Sequence, residues 1–361
     1  MWHETQLSKR LGLKWPIIQA PMASVTTPAL ACAASNAGAL GSLGGAMSSP
    51  AQIEAMVAEV RAGTNRAFNV NLFVLDPPKP DRAEMIAANA KLKPMRDALG
   101  LAEPPLPTKF GQSYPEQAEA LLAAHVPVAS FTFGLPDAKL IARFRSAGTL
   151  TIGTATTAAE ARALVANGIE VVCAQGVEAG GHRGSFLADF EDSAIGTMAL
   201  VPQIVDAVNV PVIAAGGIMD GRGIAAALML GAQAVQLGTA FLRCPEASVH
   251  PVHRQRLAQA RDDGTRLTRA FTGRPARSLT NRFVREMSAY QSSFPAMPVQ
   301  GALTADIRQA AIKAGDAEFM TLWSGQGASL GREMPASELI ATLASETERV
   351  LGGQTMVSSN R

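Results

Sequence analysis

A glycine-rich segment near the middle of the chain, residues 175–184, carries the residue types best suited to chemistry. It reads Gln-Gly-Val-Glu-Ala-Gly-Gly-His-Arg-Gly, so four glycines surround one histidine and one arginine. Glycine leaves the backbone uncovered, which lets an anion or a ring system pass close to the main chain. An imidazole titrates near neutral pH, so His182 is suited to accept a proton or to balance a charge. We therefore predict that His182 is functional, whereas Arg183 fits a bracing role as well as a binding role.

Two shorter segments, residues 215–218 and 236–239, place glycines where apolar runs end. The first contains Gly216 and Gly217, and the second contains Gly238. In α/β barrels the corresponding loops frequently bind phosphate, because glycine lets backbone N–H groups approach it and a helix N-terminus adds a favourable dipole. Either segment alone is a weak indication. Together they predict a phosphate-bearing ligand, which is either a cofactor or a substrate.

Other kinds of active site find little support in the sequence. It contains no G-x-S-x-G elbow, and no close group of histidines and carboxylates has the spacing of metal ligands. Glu178 fits a capping or ion-pairing role within its own loop better than acid–base chemistry, and Asp220 fits the N-cap of a helix. We therefore expect neither a hydrolase nor a metalloenzyme.

The segments that must position these residues are short apolar runs that alternate with alanine-rich helical stretches. Such runs are typical of parallel strands buried on both faces. The predicted strands are 16–20, 39–43, 68–72, 128–132, 150–153, 170–174, 211–215 and 234–237. Predicted helices lie between strands at 27–37, 50–61, 137–146 and 158–167. Eight units predict a (β/α)8 barrel of the TIM type, in which functional residues lie at the carboxyl ends of the strands.

Two regions lie outside this repeating pattern. Residues 74–126 are too long for an ordinary connection, so we expect an insertion after the third strand that folds over the barrel mouth. Residues 245–361 contain helical stretches near 252–261 and 304–314, and we expect them to pack on the barrel as a helical appendage. The sequence thus predicts a single domain over residues 1–361.

The composition indicates which partners and which cellular compartment to expect. The 361 residues carry a formal net charge of +2, from 32 Lys and Arg against 30 Asp and Glu, so we expect no nucleic-acid partner. Cys32, Cys173 and Cys244 are widely separated, which fits a reducing compartment. The N-terminus does not resemble a signal peptide, and no apolar run is long enough to span a membrane. We therefore expect a cytoplasmic protein, and the sequence leaves its oligomeric state open.

Taken together, the motifs resemble those of the nitronate monooxygenases, formerly called 2-nitropropane dioxygenases, and in particular the bacterial first class. The similar segments occur in family order at residues 19–22, 35–38, 68–73, 175–184, 214–218 and 236–240. In the tail, residues 281–283 and the Trp-Ser-Gly-Gln-Gly run at 323–327 are similar to C-terminal elements of the family.

The resemblance implies an FMN-dependent enzyme that oxidises alkyl nitronates, such as propionate 3-nitronate, with O2 to a carbonyl compound and nitrite. His182 matches the family's active-site histidine, which deprotonates a neutral nitroalkane or, when protonated, holds the anionic nitronate. The phosphate expected at the two glycine segments is then that of FMN. The residues implied for FMN binding are Ala20, Pro21, Met22, Asn69, Gln175, Gly180, Gly181, Gly216, Gly217, Gln236, Leu237, Gly238 and Thr239.

One position departs from the family, and several alternatives stay open. Many members carry a second histidine where this chain has Thr132, so the resemblance does not define which substrates are accepted. The closest alternative is an FMN- and NAD(P)H-dependent enoyl-acyl-carrier-protein reductase, which is similar in its barrel and its glycine-histidine segment. A phosphosugar isomerase or aldolase and a non-enzymatic flavin-binding module are the others.

Overall fold

The computed structural model describes residues 1–353, and within them eight parallel strands form a barrel. The described residues form eleven strands, of which β7, β10 and β11 lie outside the barrel. They are β1 (Ile17–Gln19), β2 (Gly41–Gly44), β3 (Phe68–Phe73), β4 (Val128–Thr132), β5 (Leu150–Ala155), β6 (Val171–Gln175), β7 (Gly181–His182), β8 (Val212–Ala215), β9 (Ala234–Leu237), β10 (Thr265–Thr268) and β11 (Ala276–Leu279). The barrel order is β1, β9, β8, β6, β5, β4, β3, β2. A parallel bridge between Ile18 and Leu40 closes the ring. The predicted TIM-type fold is confirmed, and each predicted strand overlaps an observed one.

Helices surround this barrel and continue into the tail. They are α1 (Gln6–Leu11), α2 (Pro28–Asn36), α3 (Pro50–Gly63), α4 (Arg82–Ala98), α5 (Tyr114–Ala123), α6 (Ala138–Ser146), α7 (Ala158–Ala166), α8 (Thr197–Ala207), α9 (Gly221–Met229), α10 (Pro251–Ala258), α11 (Arg282–Glu286), α12 (Val299–Leu303), α13 (Ala305–Ala314) and α14 (Ala336–Leu351). Short 3-10 helices lie at Glu191–Ser193, Thr239–Phe241, Met287–Ser293 and Ala328–Leu330. In the described part of the chain, no helix is long and apolar enough to cross a membrane.

The local sequence explains where the helices after β1, β2 and β5 begin. The side chains of Thr27, Ser49 and Thr157 each accept a hydrogen bond from the backbone N–H three residues later. Such N-caps satisfy an N–H group that has no partner within the helix. Pro28 and Pro50 occupy the first helical position, where the missing N–H of proline costs nothing. Each cap therefore fixes where the loop after its strand ends and the next helix begins.

The two ends of the barrel interior differ in character. At the amino ends of the strands, apolar side chains form a buried cluster that includes Leu7 of α1, Ile18, Val128, Val171 and Ile213. Helix α1 therefore seals this end. Alternate residues of a strand point to the same side, so the inward positions nearer the carboxyl ends form a separate layer. That layer carries the polar side chains of the site.

The insertion after β3 supplies a barrel helix as well as a cover. Helix α5 packs against α3 and β3, which is the position of the barrel helix between β3 and β4. Helix α4 instead packs on α12 of the tail. Arg96 of α4 forms an ion pair of 2.7 Å with Asp306 of α13. The insertion and the tail thus hold each other over the barrel mouth.

The tail contributes more to the barrel than its predicted role as an appendage. Helix α14 packs between α9 and α2, so it is the eighth helix of the ring. Strands β10 and β11 form an antiparallel sheet with β7, which lies in the loop after β6. In this sheet Ala276 is paired with His182. The tail therefore fixes the glycine-rich loop as well as closing the helical ring.

The contact between α9 and α14 requires a glycine at its centre. A Cβ atom on Gly221 would lie 2.4 Å from both Cβ of Glu346 and the backbone nitrogen of Thr347. We expect Gly221→Ala to lower the free energy of unfolding by about 1–3 kcal/mol, because the two helices must separate to admit a methyl group. Urea unfolding measures this loss. The control is Gly301→Ala in α12, where the nearest heavy atom is 4.0 Å away; equal stability of the two variants would contradict the expectation.

Candidate functional site

A cavity of about 1710 Å3 opens at the carboxyl ends of the barrel strands. Its inner wall includes polar side chains from successive strands, namely Asn71, Ser130, Thr132, Thr154, Gln175 and Gln236. The side-chain amide of Asn71 donates to the hydroxyls of Ser130 (3.0 Å) and Thr132 (3.2 Å). The volume exceeds the roughly 300–1,000 Å3 of a pocket for one small ligand. The cavity therefore has room for a cofactor together with a substrate.

Most residues singled out from the sequence meet in this cavity. They are Ala20, Pro21, Met22, Gln175, Gly180, Gly181, His182, Gly216, Gly217, Gln236, Gly238 and Thr239. Leu237 is instead buried in the core outside the barrel, because it alternates with the inward-facing Gln236. Asn69 lies one inward layer deeper than Asn71, where its amide nitrogen donates to Ser42 (3.2 Å) and its Oδ1 has no partner. The roles of these residues in binding stay predictions.

The two glycine segments expose backbone donors on one side of the cavity. Gly216 and Gly217 have φ values of 111° and 73°, a conformation that favours glycine. Within residues 1–353, the N–H groups of Gly216, Gly217 and Gly238 have no acceptor. Asp220 caps α9 by accepting from Arg222 (3.0 Å) and Gly223 (3.3 Å), as predicted. The free donors fit a phosphate group, whereas the first turn of α9 is already capped.

His182 lies on β7 against an aromatic wall. The rings of Phe73, Phe133 and Trp323 have centroids 6.3, 5.9 and 5.3 Å from that of the imidazole. Nε2 is 2.9 Å from the hydroxyl of Thr272. The Thr272 hydroxyl also lies 3.4 Å from the carbonyl oxygen of Arg274, to which it can donate its proton. In that arrangement Nε2–H donates to Thr272, and Nδ1 is left as a proton acceptor.

The charges around His182 favour its neutral form. Burial, followed by the positive charges of Arg274 and Arg308, lowers the pKa of His182 to about 3. Arg274 is held in place because its guanidinium lies 4.0 Å from the ring centroid of Phe133. Phe133 itself has a φ of 82°, which is strained for a residue with a side chain. In this conformation the Phe133 ring contacts both Arg274 and His182.

Glu178 and Arg183, the two charged residues of the glycine-rich loop, have structural roles. Glu178 accepts hydrogen bonds from the backbone N–H and the hydroxyl of Thr197, each at 2.9 Å, and so caps the start of α8. Arg183 is buried and donates to the carbonyl oxygens of Gln175 and Ser193. Glu178 therefore caps α8 and not a group of its own loop, as had been expected, and Arg183 braces the backbone.

Several site residues escaped the sequence analysis. Thr272, Arg274 and Arg308 are single polar residues in the tail, where no periodicity or motif marked them. Trp323 belongs to the Trp-Ser-Gly-Gln-Gly run, which resembles a family element. That resemblance marked the segment, but it did not predict the contact of Trp323 with His182. Among residues 1–353, no group of three or more His, Cys, Asp or Glu side chains could hold a metal ion.

Comparisons with known proteins agree with the geometry. A family model described as nitronate monooxygenase matches residues 4–346. A probable nitronate monooxygenase of Staphylococcus aureus (strain Newman) is 41% identical, with 97% of this chain and 99% of the relative covered. The solved nitroalkane oxidase from Streptomyces ansochromogenes is 43% identical with a TM-score of 0.89, covering 96% of this chain and 99% of that one. FabK from Thermotoga maritima is more distant, at 30% identity and a TM-score of 0.78, covering 97% and 98%.

The lowered pKa of His182 has a direct spectroscopic consequence. Because the folded-state pKa lies near 3, the imidazole becomes charged only in strong acid and is neutral throughout the range from pH 5 to 8. We expect the 15N signals of His182 to stay constant over that range, with Nε2 carrying the proton. The His182→Gln variant identifies the signals by their loss. A titration midpoint between pH 6 and 7 would contradict this assignment.

Proposed function

This chain belongs to the nitronate monooxygenase family, and from that premise we propose that it uses FMN and O2 to oxidise alkyl nitronates to a carbonyl compound and nitrite. The observation that carries the proposal is the position of His182 on the cavity wall, with Nε2 at 2.9 Å from the Thr272 hydroxyl and, within residues 1–353, no carboxylate partner. Burial and the positive charges of Arg274 and Arg308 lower its pKa, which favours the neutral imidazole. Such a site favours an anionic substrate and offers a base for a neutral one.

The fit of FMN rests on the glycine-lined side of the cavity. The N–H groups of Gly216, Gly217 and Gly238 would hold its phosphate, and the volume of about 1710 Å3 accommodates the ring system with space left for a substrate. Gln175 and Gln236 would supply polar contacts from the ends of β6 and β9. When bound, FMN supplies the electron acceptor and the reactivity toward O2.

The protein's own residues would bind the substrate and move its proton. Nδ1 of His182 would take the α-proton of a neutral nitroalkane, while a preformed nitronate would need no proton transfer. Phe73, Phe133 and Trp323 form an apolar wall beside the imidazole, which suits the alkyl part of the substrate and keeps water away. The positive field of the two arginines stabilises the nitronate anion once it forms.

The proposal is tested by the colour and the anaerobic chemistry of the purified protein. We expect bound flavin that is released as FMN, rapid bleaching by an alkyl nitronate without oxygen, and slow bleaching by NADPH. Rapid bleaching by NADPH and none by a nitronate would instead support the enoyl-acyl-carrier-protein reductase. A colourless protein that binds no added FMN would contradict the proposal.

The base is tested by replacing His182. We expect His182→Ala to keep the flavin and to lower the turnover of a neutral nitroalkane by about 10²–10⁴-fold, the usual range for a general base. The matched control is His253→Ala, which removes a buried histidine that lines the same cavity. Unchanged nitroalkane turnover in His182→Ala, with flavin bound, would contradict the assignment of His182 as the base.

Thr272 is expected to set which nitrogen of His182 carries the proton. Thr272→Val keeps the shape of the side chain but removes the hydroxyl that lies 2.9 Å from Nε2. We expect about a tenfold lower kcat/KM for a neutral nitroalkane and little change for the preformed nitronate, because only the former needs the base. Thr272→Ser should restore the wild-type ratio of the two rates. An equal loss on both substrates would show that Thr272 acts only through structure.

A further inference from the structure

A fully buried carboxylate contacts the segment that follows the glycine-rich loop. Glu160 belongs to the first turn of α7, and its side chain has no exposed surface. A glutamate is almost never buried to this extent unless its charge has partners. Oε2 accepts hydrogen bonds from the backbone N–H and the hydroxyl of Thr156, each at 2.7 Å. Oε1 accepts from the backbone N–H groups of Phe186 at 2.5 Å and Leu187 at 3.0 Å.

A capping role for α7 explains only half of these bonds. A glutamate at the third helical position commonly reaches back to a backbone N–H at the helix start, as Oε2 does at Thr156. The N-cap itself is Thr157, whose hydroxyl accepts from the N–H of Glu160 at 3.2 Å. The bonds of Oε1 add nothing to this helix, because their donors lie 26 and 27 residues further along the chain. Glu160 therefore also fixes a second segment, and that segment follows His182.

Glu160 and Arg274 hold opposite sides of one peptide group. The guanidinium of Arg274 donates to the carbonyl oxygen of Ser185, and the N–H of the same peptide unit, which belongs to Phe186, donates to Glu160. Arg274 also donates to the carbonyl oxygen of Arg183 at 3.1 Å. Hydrogen bonds to charged groups are about twice as strong as neutral ones, and bonds in a chain polarise one another. The peptide group thus links the carboxylate to the guanidinium.

The charge of Glu160 offsets part of the cost of burying two arginines. Burial lowers the pKa of Arg274 to about 10, and the negative charge of Glu160 acts in the opposite direction. Burial likewise lowers the pKa of Arg183 to about 10, and Glu160 again opposes this. A buried charge without compensation destabilises its own position. An uncharged side chain at position 160 would therefore hold Arg274 less firmly.

Arg274 in turn defines the surroundings of His182 in two ways. Its guanidinium lies 4.0 Å from the ring centroid of Phe133, which lies 5.9 Å from that of the imidazole. Its carbonyl oxygen lies 3.4 Å from the hydroxyl of Thr272, which accepts the Nε2 proton of His182 in the arrangement given above. If that carbonyl moves away, Thr272 can donate to Nε2 instead. The imidazole proton then belongs on Nδ1, which can no longer accept a proton from a substrate.

We propose that Glu160 is a positioning residue for proton abstraction by His182. Through the Ser185–Phe186 peptide, its carboxylate keeps Arg274 in place. Arg274 then keeps Nδ1 of His182 free of a proton by accepting from Thr272. The inference rests on the proposed function and deepens it, because it concerns the one step that a neutral nitroalkane needs and a preformed nitronate does not. In that step the α-proton goes to Nδ1, and the electron pair of the C–H bond stays on the substrate as the nitronate.

The kinetic test replaces the carboxylate of Glu160 by an amide. Glu160→Gln keeps the shape of the side chain and removes its charge. We expect kcat/KM for nitroethane to fall about tenfold and kcat/KM for ethyl nitronate to stay nearly constant, since only nitroethane must lose a proton. The matched control is Glu346→Gln: Glu346 is also buried and accepts a backbone N–H, from Gly221 at 3.1 Å, but it serves the contact between α9 and α14. An equal loss on both substrates, or the same change of the rate ratio in both variants, would overturn the inference.

Spectra of His182 test the inference without turnover. In 15N spectra of the wild-type protein we expect the proton on Nε2, and in Glu160→Gln we expect the form with the proton on Nδ1 to increase. If neither substrate is oxidised, the proposed function fails, and the spectra still decide whether Glu160 sets the protonated nitrogen of His182. An unchanged tautomer in the folded Glu160→Gln variant would overturn the inference.

A second variant breaks the same link from its other end. Arg274→Lys keeps the positive charge but cannot hold two carbonyl oxygens with a planar fork of donors. We expect a similar loss on nitroethane, and the double variant with Glu160→Gln should lose no more than either single variant, because both changes break one link. Losses that multiply would show that Glu160 does not act through Arg274. If Glu160→Gln does not fold, unchanged nitroethane turnover in Arg274→Lys overturns the inference by itself.

Discussion

The site depends on hydrogen bonds from other segments that fix the glycine-rich loop of residues 175–184. Residues 175–184 are rich in glycine, so their shape comes from donors that reach them from outside. Arg277 donates to the carbonyl oxygen of Val177 at 3.0 Å, and Arg274 donates to that of Arg183 at 3.1 Å. The planar guanidinium, with five donors and a permanent charge, can fasten several carbonyls at once. The place of His182 and the side of the cavity formed by Gly180 both follow from this bracing.

Of these two arginines, Arg274 also lowers the pKa of His182, after burial and together with Arg308. Their balancing carboxylates, Glu160 and Glu178, do not line the cavity and are occupied with backbone N–H groups, including those of Phe186 and Thr197. His182 therefore experiences the positive charges of Arg274 and Arg308 and, within residues 1–353, has no carboxylate partner, unlike the histidine of a hydrolase triad. The imidazole of His182 is therefore neutral at physiological pH, and an anion beside it would favour its protonated form.

The sequence predicted the barrel well because buried strands and capped helices carry local signals. The apolar runs marked all eight barrel strands, and the glycines with His182 marked the inner cavity. It could not predict β7, since two residues have no periodicity, or the pairing of β7 with β11 that brings the tail to His182. Thr272 and Arg308 were missed for the same reason: their importance comes from tertiary contacts. Leu237 and Asn69 show the opposite case, in which residues were predicted from a motif. A motif identifies a segment of the chain, but it does not tell which side chains of that segment reach the cavity.

The eighth helix of the ring is synthesised long after the strands it surrounds. β9 ends at Leu237, but α14, which fills the gap between α9 and α2, begins only at Ala336. Until α14 emerges from the ribosome, the sides of α9 and α2 that it covers stay open to solvent and to other chains. Contacts between such distant segments form slowly, and the waiting intermediate is the species most prone to aggregate. A chain that ends before Ala336 would therefore contain every barrel strand and still leave the gap between α9 and α2 uncovered.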